Sequence, residues 1–343
     1  MTAATAGDTG ISVYATQLSA ALETEGVEVV RFAVGRGTRQ VAAPCRRLPA
    51  PLRAVHAGWR QAAWPRAEQL TGPVDVVHAA GPVPPPSRRP VVAVVHDLAP
   101  LRHPALHPPR HVRELEWTLA ALPAAAAVVT VSEATRRGLV GRGVPAEKVA
   151  VTPNGLRTLP EADRALVPTG PFALAVGQLV PRKGLPAVLE ALARTAGLRL
   201  VVCGPDGGLG EELEAVAAQR GLADRTSFLG RVSDAQLAGL YQAASMVVAA
   251  SLDEGFGLPV LEAMAAGAPV VATDIPAFRE VGGPAPVFVP VGDAAALAAA
   301  LEALLADPAE RQRRARAGRE QAAGHTWAAC ARATIGVYES VLA

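Results

Sequence analysis

Short runs of β-branched residues alternate with Ala- and Leu-rich stretches along the chain, and this alternation limits the fold more than any other feature. The pattern is typical of parallel sheets covered by helices. It predicts strands at Val27–Val34, Val74–His78, Val91–His96, Ala127–Val131, Val149–Thr152, Phe172–Val176, Leu198–Cys203, Thr226–Leu229, Met246–Ala249, Pro269–Ala272 and Val287–Val289. Helices are expected at Ser12–Thr24, Ala187–Thr195, Glu211–Arg220, Asp234–Ala244, Pro259–Ala266 and Trp327–Leu342.

A proline-containing segment divides the chain near its middle. Asn154–Pro171 carries three prolines, which break regular structure. With 343 residues, the chain is long enough for two domains. We therefore expect an α/β protein with two doubly wound, Rossmann-like domains that face each other across a ligand-binding cleft. The predicted domains are residues 1–163 and 164–325, followed by a C-terminal helix, residues 326–343, that can pack back on the first domain.

The amino-terminal segment departs from this pattern. A doubly wound domain normally begins with a central apolar strand that leads into a glycine loop and a helix. Gly7, Gly10 and the helix are present, but Met1–Ala6 is short and rich in Ala and Thr. The first strand of the N-terminal domain is therefore expected to be missing, which leaves two alternatives: the true start lies upstream, or the first sheet is rebuilt.

The net charge of +2 is unevenly distributed. Residues 1–163 have 18 Lys and Arg against 13 Asp and Glu, a balance of +5, whereas residues 164–343 have 15 against 18, a balance of −3. The first half could favour an anionic partner, such as a phosphorylated acceptor or a membrane surface, although a basic half without a dedicated partner fits equally well. Aromatic residues make up only 4% and no long basic run occurs, so nucleic acid is not expected as a partner.

Several absences from the sequence predict a cytoplasmic protein. No apolar run approaches the roughly 18 to 20 residues of a membrane-spanning helix, and the first residues do not have the pattern of a secretory signal. Three widely spaced cysteines form neither a disulfide framework nor a metal motif. Peripheral contact with the inner face of the membrane stays open, because Arg53–Arg66 is basic and aromatic, but an ordinary surface helix would show the same pattern.

The segment Ser251–Gly267 carries the most informative chemistry. It follows a predicted strand and begins a helix, with Pro259 in the first turn. Gly255 and Gly257 allow a ligand to approach the backbone, and the N–H groups at the helix start make an anion site. Glu254 and Glu262 can border the same pocket and accept hydrogen bonds from sugar hydroxyls. A glycine turn with two solvated glutamates is the alternative.

A second segment, Ala175–Leu185, directly follows the first predicted strand of the second domain. Gly177 ends that strand, and Arg182 and Lys183 follow at the same edge of the sheet. An Arg–Lys pair is usually on a surface, but at this position the two cations could neutralise a diphosphate. Lys183 is also one of only two lysines, the other being Lys148.

These two segments resemble the donor site of family 4 of the retaining glycosyltransferases, which have the GT-B fold. Glu254 and Glu262 are eight residues apart, as in the E-x7-E motif of that family. One position departs from the pattern: Gln178 stands where the family often has arginine, which removes a positive charge. The similarity covers nearly the whole chain, including Thr9–Ile11, Val95–Pro104, Thr130–Thr135 and Val151–Gly155.

The resemblance implies a role for each matching residue. Glu254 would contact the transferred sugar and Glu262 the ribose, while Arg182 and Lys183 would hold the diphosphate. His96 would lie beside the reacting sugar and the acceptor. The remaining donor-binding positions implied are Gly10, which would close over the phosphates, Gly177, the amides of Gly255, Phe256, Gly257 and Leu258, and the region Leu229–Arg231 with Arg231 near the base.

The implied activity is front-face retaining transfer of a hexosyl unit from a nucleoside-diphosphate sugar to an acceptor hydroxyl. The stretch from His96 to Pro104 resembles that of mannosyltransferases, which favours GDP-mannose as the donor. No Asp-x-Asp motif stands out, so neither a metal nor another cofactor is expected. The acceptor, whether a sugar, a lipid-linked molecule or a small molecule, is not readable. Two alternatives stay open: a non-catalytic subunit that binds a sugar nucleotide, and a sugar-nucleotide epimerase of the same fold.

Overall fold

A computed structural model describes residues 2–3, 10–34 and 45–343 of the chain. The chain forms two compact units: unit 1 comprises residues 1–155 and 326–343, and unit 2 comprises residues 156–325. Unit 2 is thus a continuous segment inserted between two parts of unit 1. Its two ends lie together, because the Leu156 N–H donates a hydrogen bond of 2.9 Å to the His325 carbonyl oxygen.

The described part of unit 1 contains two parallel sheets. The first consists of β1 (Thr2–Ala3), β2 (Arg31–Val34) and β3 (Cys45–Leu48), in that order. The second consists of β4 (Val77–Ala79), β5 (Val91–Val95), β6 (Ala127–Thr130) and β7 (Val149–Val151), also in chain order. The helices before the junction are α1 (Gly10–Thr24), α2 (Leu52–Gln61), α3 (Ala67–Thr71), α4 (Ala99–Arg102), α5 (Pro109–Ala121) and α6 (Glu133–Val140).

Unit 2 is built on one parallel sheet of six strands. They are β8 (Phe172–Val176), β9 (Arg199–Cys203), β10 (Thr226–Gly230), β11 (Met246–Ala249), β12 (Val270–Thr273) and β13 (Val287–Val289), in the order β10-β9-β8-β11-β12-β13. Both faces of β8 are buried, since four of its five side chains are inaccessible. The helices are α7 (Leu185–Arg194), α8 (Gly210–Gln219), α9 (Asp234–Ala243), α10 (Leu258–Ala266), α11 (Pro276–Gly282), α12 (Ala294–Ala306) and α13 (Pro308–Ala323).

The last helix, α14 (Trp327–Leu342), returns to unit 1 and packs against α1. His78 of β4 joins the two helices: its Nδ1 lies 2.9 Å from the Tyr338 hydroxyl and its Nε2 lies 3.1 Å from the Tyr14 hydroxyl. All three side chains are buried. Both ring nitrogens of a buried histidine are therefore satisfied by tyrosines from different helices.

The structure corrects several sequence predictions in unit 1. β2 begins at Arg31 rather than at Val27, and β3 (Cys45–Leu48) was not predicted. The N-terminal strand is short rather than missing, because Thr2 and Ala3 pair with Phe32 and Ala33 of β2. Gly7 and Thr9 lie outside the described residues. In unit 2, by contrast, β8, β11 and β13 have the predicted bounds.

The basic, aromatic stretch Arg53–Arg66 forms α2 and the turn that follows it. Trp59 is buried in the core of unit 1, whereas Trp64 is 63% exposed. Arg60 stacks on the Trp117 ring at 4.2 Å from its centroid. The stretch therefore contributes one tryptophan to the core and leaves the other at the surface. Over residues 10–34 and 45–343, no helix is both long and apolar enough to span a bilayer.

Candidate functional site

The strand order of unit 2 reverses between β8 and β11, because β9 and β10 continue on one side and β12 and β13 on the other. Ligands of doubly wound sheets bind at the carboxyl ends of the strands beside such a reversal. The two segments singled out in the sequence follow these two strands. They meet at one pocket, whose lining includes Gly177, Lys183, Ser251, Glu254 and Phe278.

Gly177 makes room for Lys183 at the end of β8. Its φ of +145° is unfavourable for residues with a side chain. A Cβ atom at this position would lie 2.9 Å from Cε and 3.1 Å from Nζ of Lys183. The lysine side chain therefore occupies the space that any other residue at position 177 would fill.

The loop that carries the two cations is fixed to the strand β11 and its following loop. Pro181–Lys183 forms a single 3₁₀ turn, which ends at Gly184 with a φ of +65°. A Cβ atom on Gly184 would lie 2.1 Å from the Ala250 carbonyl oxygen, so the backbones approach too closely for another residue. The Leu252 N–H also donates to the Arg182 carbonyl oxygen over 2.8 Å. The loop is thus held on both sides of Lys183.

Glu254 accepts bonds from both cations. Its Oε1 lies 2.6 Å from Lys183 Nζ, and its Oε2 lies 2.7 Å from Arg182 Nη1. The Ser251 hydroxyl donates to Oε1 over 2.9 Å, and Arg182 also donates to the Asp253 carbonyl oxygen over 2.6 Å. The side chains of Arg182, Lys183 and Glu254 are each less than a fifth exposed. These groups form a single, largely enclosed ion cluster with one excess positive charge.

The ionisation of Glu254 is set by this cluster. Burial alone would raise the pKa of the Glu254 carboxyl, but Lys183 and Arg182 outweigh it and lower the pKa from 4.5 to about 2. Glu254 is consequently a carboxylate across the physiological pH range. It can accept hydrogen bonds from hydroxyl groups but cannot donate a proton to a leaving group.

The helix α10 begins directly beside the ion cluster. Gly257 precedes it with a φ of +109°, and a Cβ atom there would lie 2.9 Å from the Phe278 ring. Gly255 and Phe256 are buried, and Leu258 is half-buried. Pro259 occupies the first turn, as predicted. Because N–H groups in the first turn have no acceptors within the helix, they add a positive end to the cation pair.

Glu262 lies one turn further along α10 and is almost fully buried. Arg157 donates from Nε to its Oε1 over 2.6 Å, and the Tyr241 hydroxyl donates to its Oε2 over 3.0 Å. The sequence predicted Glu262 as a site residue but neither of its partners. No local signal marks Arg157, which lies 105 residues before the glutamate that it contacts.

Arg231, the residue assigned to the base, follows β10 and is exposed. The carboxyl ends of the neighbouring strands are aligned by backbone bonds: the Gly204 N–H donates to Gly230 O, and the Gly177 N–H donates to Cys203 O, both over 2.8 Å. β10 is separated from β8 by β9 alone. Arg231 thus lies at the same edge of the sheet as the ion cluster.

The two remaining predicted residues, His96 and Gly10, belong to unit 1. His96 follows β5, its Nε2 lies 3.1 Å from the Ala80 carbonyl oxygen, and the Tyr14 ring meets it edge-on at a centroid distance of 4.9 Å. Burial lowers the pKa of His96, although Ala80 and Asp97 partly offset this. Gly10 is the exposed first residue of α1. The histidine is therefore held in one orientation and favours its neutral form.

Comparison with known proteins agrees with this architecture. Residues 161–321 match the family described as glycosyl transferases group 1, and residues 9–158 match glycosyltransferase family 4. HepE from Anabaena, solved in complex with UDP-glucose, superposes with a TM-score of 0.78 at 20% identity over 99% of this chain and 98% of its own. Two Rossmann-like units with this likeness define the GT-B class of glycosyltransferases.

Relatives of known activity identify the family. A D-inositol 3-phosphate glycosyltransferase from Acidothermus cellulolyticus is 30% identical over 97% of this chain and 86% of its own length. A phosphatidyl-myo-inositol mannosyltransferase from Mycobacterium leprae is 39% identical over 168 residues, 47% of this chain and 44% of that enzyme. The chain belongs to glycosyltransferase family 4.

Proposed function

We propose that the protein is a retaining glycosyltransferase that moves a hexosyl unit from a nucleoside-diphosphate sugar to an acceptor hydroxyl. The observation that carries this proposal is the ion cluster of Arg182, Lys183 and Glu254 beside the start of α10. Two cations and a helix N-terminus converge there on one edge of the sheet. Such an arrangement favours the binding of a diphosphate.

The cluster supports an exchange of partners when the donor binds. The diphosphate would take the hydrogen bonds that Arg182 and Lys183 donate to Glu254. The Glu254 carboxylate would then accept hydrogen bonds from hydroxyls of the transferred sugar. A donor diphosphate would bring about two negative charges to a cluster with one excess positive charge, and the positive end of α10 would offset the remainder.

The proposed chemistry is displacement on one face of the sugar. The bond between the anomeric carbon and the diphosphate oxygen breaks, the acceptor oxygen forms the new bond from the same side, and the acceptor proton passes to the departing diphosphate. Arg182, Lys183 and the amides of α10 stabilise the charge that develops on the leaving group. We assign these residues the role that a metal ion would otherwise have. His96 is proposed to contact the reacting sugar.

GDP-mannose is the donor we favour. The stretch from His96 to Pro104 resembles that of mannosyltransferases, and the Mycobacterium leprae relative is named a mannosyltransferase. HepE, in contrast, was solved with UDP-glucose, so UDP-sugars are the main competing donors. The names of the two relatives favour an inositol-containing acceptor, either a phosphorylated cyclitol or its lipid-linked form.

The test combines donor binding with turnover. A thermal-shift screen with GDP-, UDP- and ADP-sugars is expected to select one base, and release of that nucleoside diphosphate with an inositol acceptor measures transfer. Lys183→Ala and Glu254→Ala should each lower the rate by at least about tenfold, because the first removes a cation that stabilises the departing diphosphate and the second removes the acceptor that positions the transferred sugar. Lys148→Ala, which removes the other lysine, is the matched control.

The outcomes separate the alternatives. An unchanged rate in Lys183→Ala would exclude the assigned site. Donor binding without release of nucleoside diphosphate, with or without acceptor, would instead favour a non-catalytic binding subunit. Conversion of the donor sugar into its epimer in the absence of any acceptor would favour an epimerase.

A further inference from the structure

Arg157, the second residue of unit 2, forms ion pairs with two carboxylates, those of Glu262 and Asp234. Its Nε donates to Glu262 Oε1 over 2.6 Å, and its Nη1 lies 2.7 Å from Asp234 Oδ1 at the first turn of α9. Asp234 is more than half exposed, whereas the Glu262 side chain is only 7% exposed. Burial opposes the charge on Arg157, but Glu262 and Asp234 together raise the pKa of its guanidinium. Arg157 therefore holds the buried carboxylate from one side with a fixed, charged donor.

Tyr241 holds the same carboxylate from the other side. Its hydroxyl lies 3.0 Å from Glu262 Oε2, and the side chain is completely buried in unit 2. Burial and the charge of Glu262 raise the pKa of Tyr241 well above 10, so the hydroxyl keeps its proton and donates it. Each oxygen of Glu262 thus has one donor of its own.

This arrangement leaves the carboxylate with acceptor capacity on both oxygens. A carboxylate offers about four lone-pair positions, and the described contacts of Glu262 use one on each oxygen. Two neighbouring hydroxyl groups can donate in parallel to such a pair of oxygens. The group that the resemblance to glycosyltransferase family 4 implies at Glu262 is a ribose, whose vicinal hydroxyls can occupy these positions.

Arg157 also compensates a charge that would oppose donor binding. Glu262 lies within the first two turns of α10, the helix whose start adjoins the ion cluster. An uncompensated buried carboxylate there would repel a diphosphate. Asp234 is too exposed to change this balance strongly, so the guanidinium acts mainly on Glu262.

We propose that Arg157 is a positioning residue, which with Tyr241 fixes Glu262 to receive the vicinal diol of the donor nucleotide and thereby sets the preference for ribo- over 2′-deoxyribonucleotides. This inference rests on the proposed function, because it takes the ligand of unit 2 to be a nucleoside diphosphate. Arg157 itself touches neither the sugar nor the phosphates in this assignment. Its effect is confined to the carboxylate that it orients.

The experiment measures the ratio of dissociation constants for a nucleoside diphosphate and its 2′-deoxy form by calorimetry. GDP and 2′-deoxy-GDP are used first, and UDP and 2′-deoxy-UDP if the protein prefers uracil. The wild type should prefer the ribonucleotide by about tenfold or more, as expected for a hydrogen bond to a charged acceptor. Arg157→Ala should reduce the ratio below about threefold, since the carboxylate is no longer held. Tyr241→Phe should give an intermediate ratio.

Two further variants make the result specific. Arg194→Ala removes a surface ion pair with Glu190 in the same unit and should leave the ratio unchanged. Arg157→Lys keeps the positive charge but has no planar fork that reaches both carboxylates. It should therefore fold even if Arg157→Ala does not. Its ratio of dissociation constants should stay below that of the wild type. A wild-type ratio in both Arg157 variants would overturn the inference alone. Failure of the wild type to bind any nucleoside diphosphate would overturn the proposed function as well.

Discussion

The ammonium nitrogen of Lys183 lies 2.6 Å from Oε1 of Glu254, on a carboxylate whose other oxygen pairs with Arg182. The residue expected to contact the sugar and the residues expected to hold the diphosphate thus bind one another. Such a cluster holds both cations through one carboxylate. It also means that a change in one member alters the other two.

The first prediction concerns the acid stability of this cluster. The pKa of Glu254 is about 2 in the folded protein, against 4.5 without its partners. The carboxylate therefore stabilises the fold fully above about pH 4.5. This stabilisation is lost as the pH falls toward 2. Glu254→Gln leaves the two cations without their anionic partner and should cost about 1 to 3 kcal/mol near neutral pH. The difference in unfolding free energy from wild type should shrink as the pH falls through this window. A difference that is independent of pH would contradict the assignment.

The second prediction tests the space over Gly177. A Cβ atom at this position would lie 2.9 Å from Lys183 Cε, so Gly177→Ala should displace the lysine and lower the rate of nucleoside diphosphate release about as much as Lys183→Ala. Gly208→Ala is the matched control: Gly208 also has a positive φ, of +102°, but no atom lies within 4 Å of an added Cβ. Both variants bear backbone strain of about 1 to 2 kcal/mol. Both variants should lose some stability, but only Gly177→Ala should also lower the rate of nucleoside diphosphate release.

The third prediction concerns His78 between α1 and α14. Burial lowers the pKa of this histidine from 6.5 to about 3, so protonation favours the unfolded chain at every pH between these values. The neutral histidine therefore stabilises the fold fully above pH 6.5, and stability falls as the pH drops below it. His78→Gln, which cannot titrate, should flatten the dependence of melting temperature on pH in this range. A wild-type slope in His78→Gln would contradict this prediction.

The buried parallel strands could be predicted from sequence because their composition follows directly from their environment. β8 and β11 are covered on both faces, so they have continuous apolar runs with bounds that the pattern gives correctly. β3 escaped prediction because it is an edge strand whose central residues, Arg46 and Arg47, are exposed. The run Val27–Val30 was predicted as strand on its composition, but β1 and β3 pair only with the residues that follow it.

The proximity of the candidate site residues was predictable where residue type and flanking elements both point to one edge of the sheet. Glu254, Lys183 and Arg182 lie in segments whose glycines and flanking elements predict an anion site, and the structure brings them into one cluster. That Glu254 would bind both cations could not be predicted, since 71 residues separate Lys183 from it. Arg157 was missed for the same reason, because its partners Glu262 and Asp234 are joined to it only by the fold.

The hydrogen bond between Leu156 and His325 has a consequence for how such a protein can be altered. Because unit 2 enters and leaves at this one point, its replacement by the corresponding segment of a relative needs only two splices, which lie side by side. The carboxylates and cations discussed above, from Arg157 to Glu262, would travel together in that exchange. The proposed nucleotide preference would then move with one continuous segment of the chain, residues 156–325.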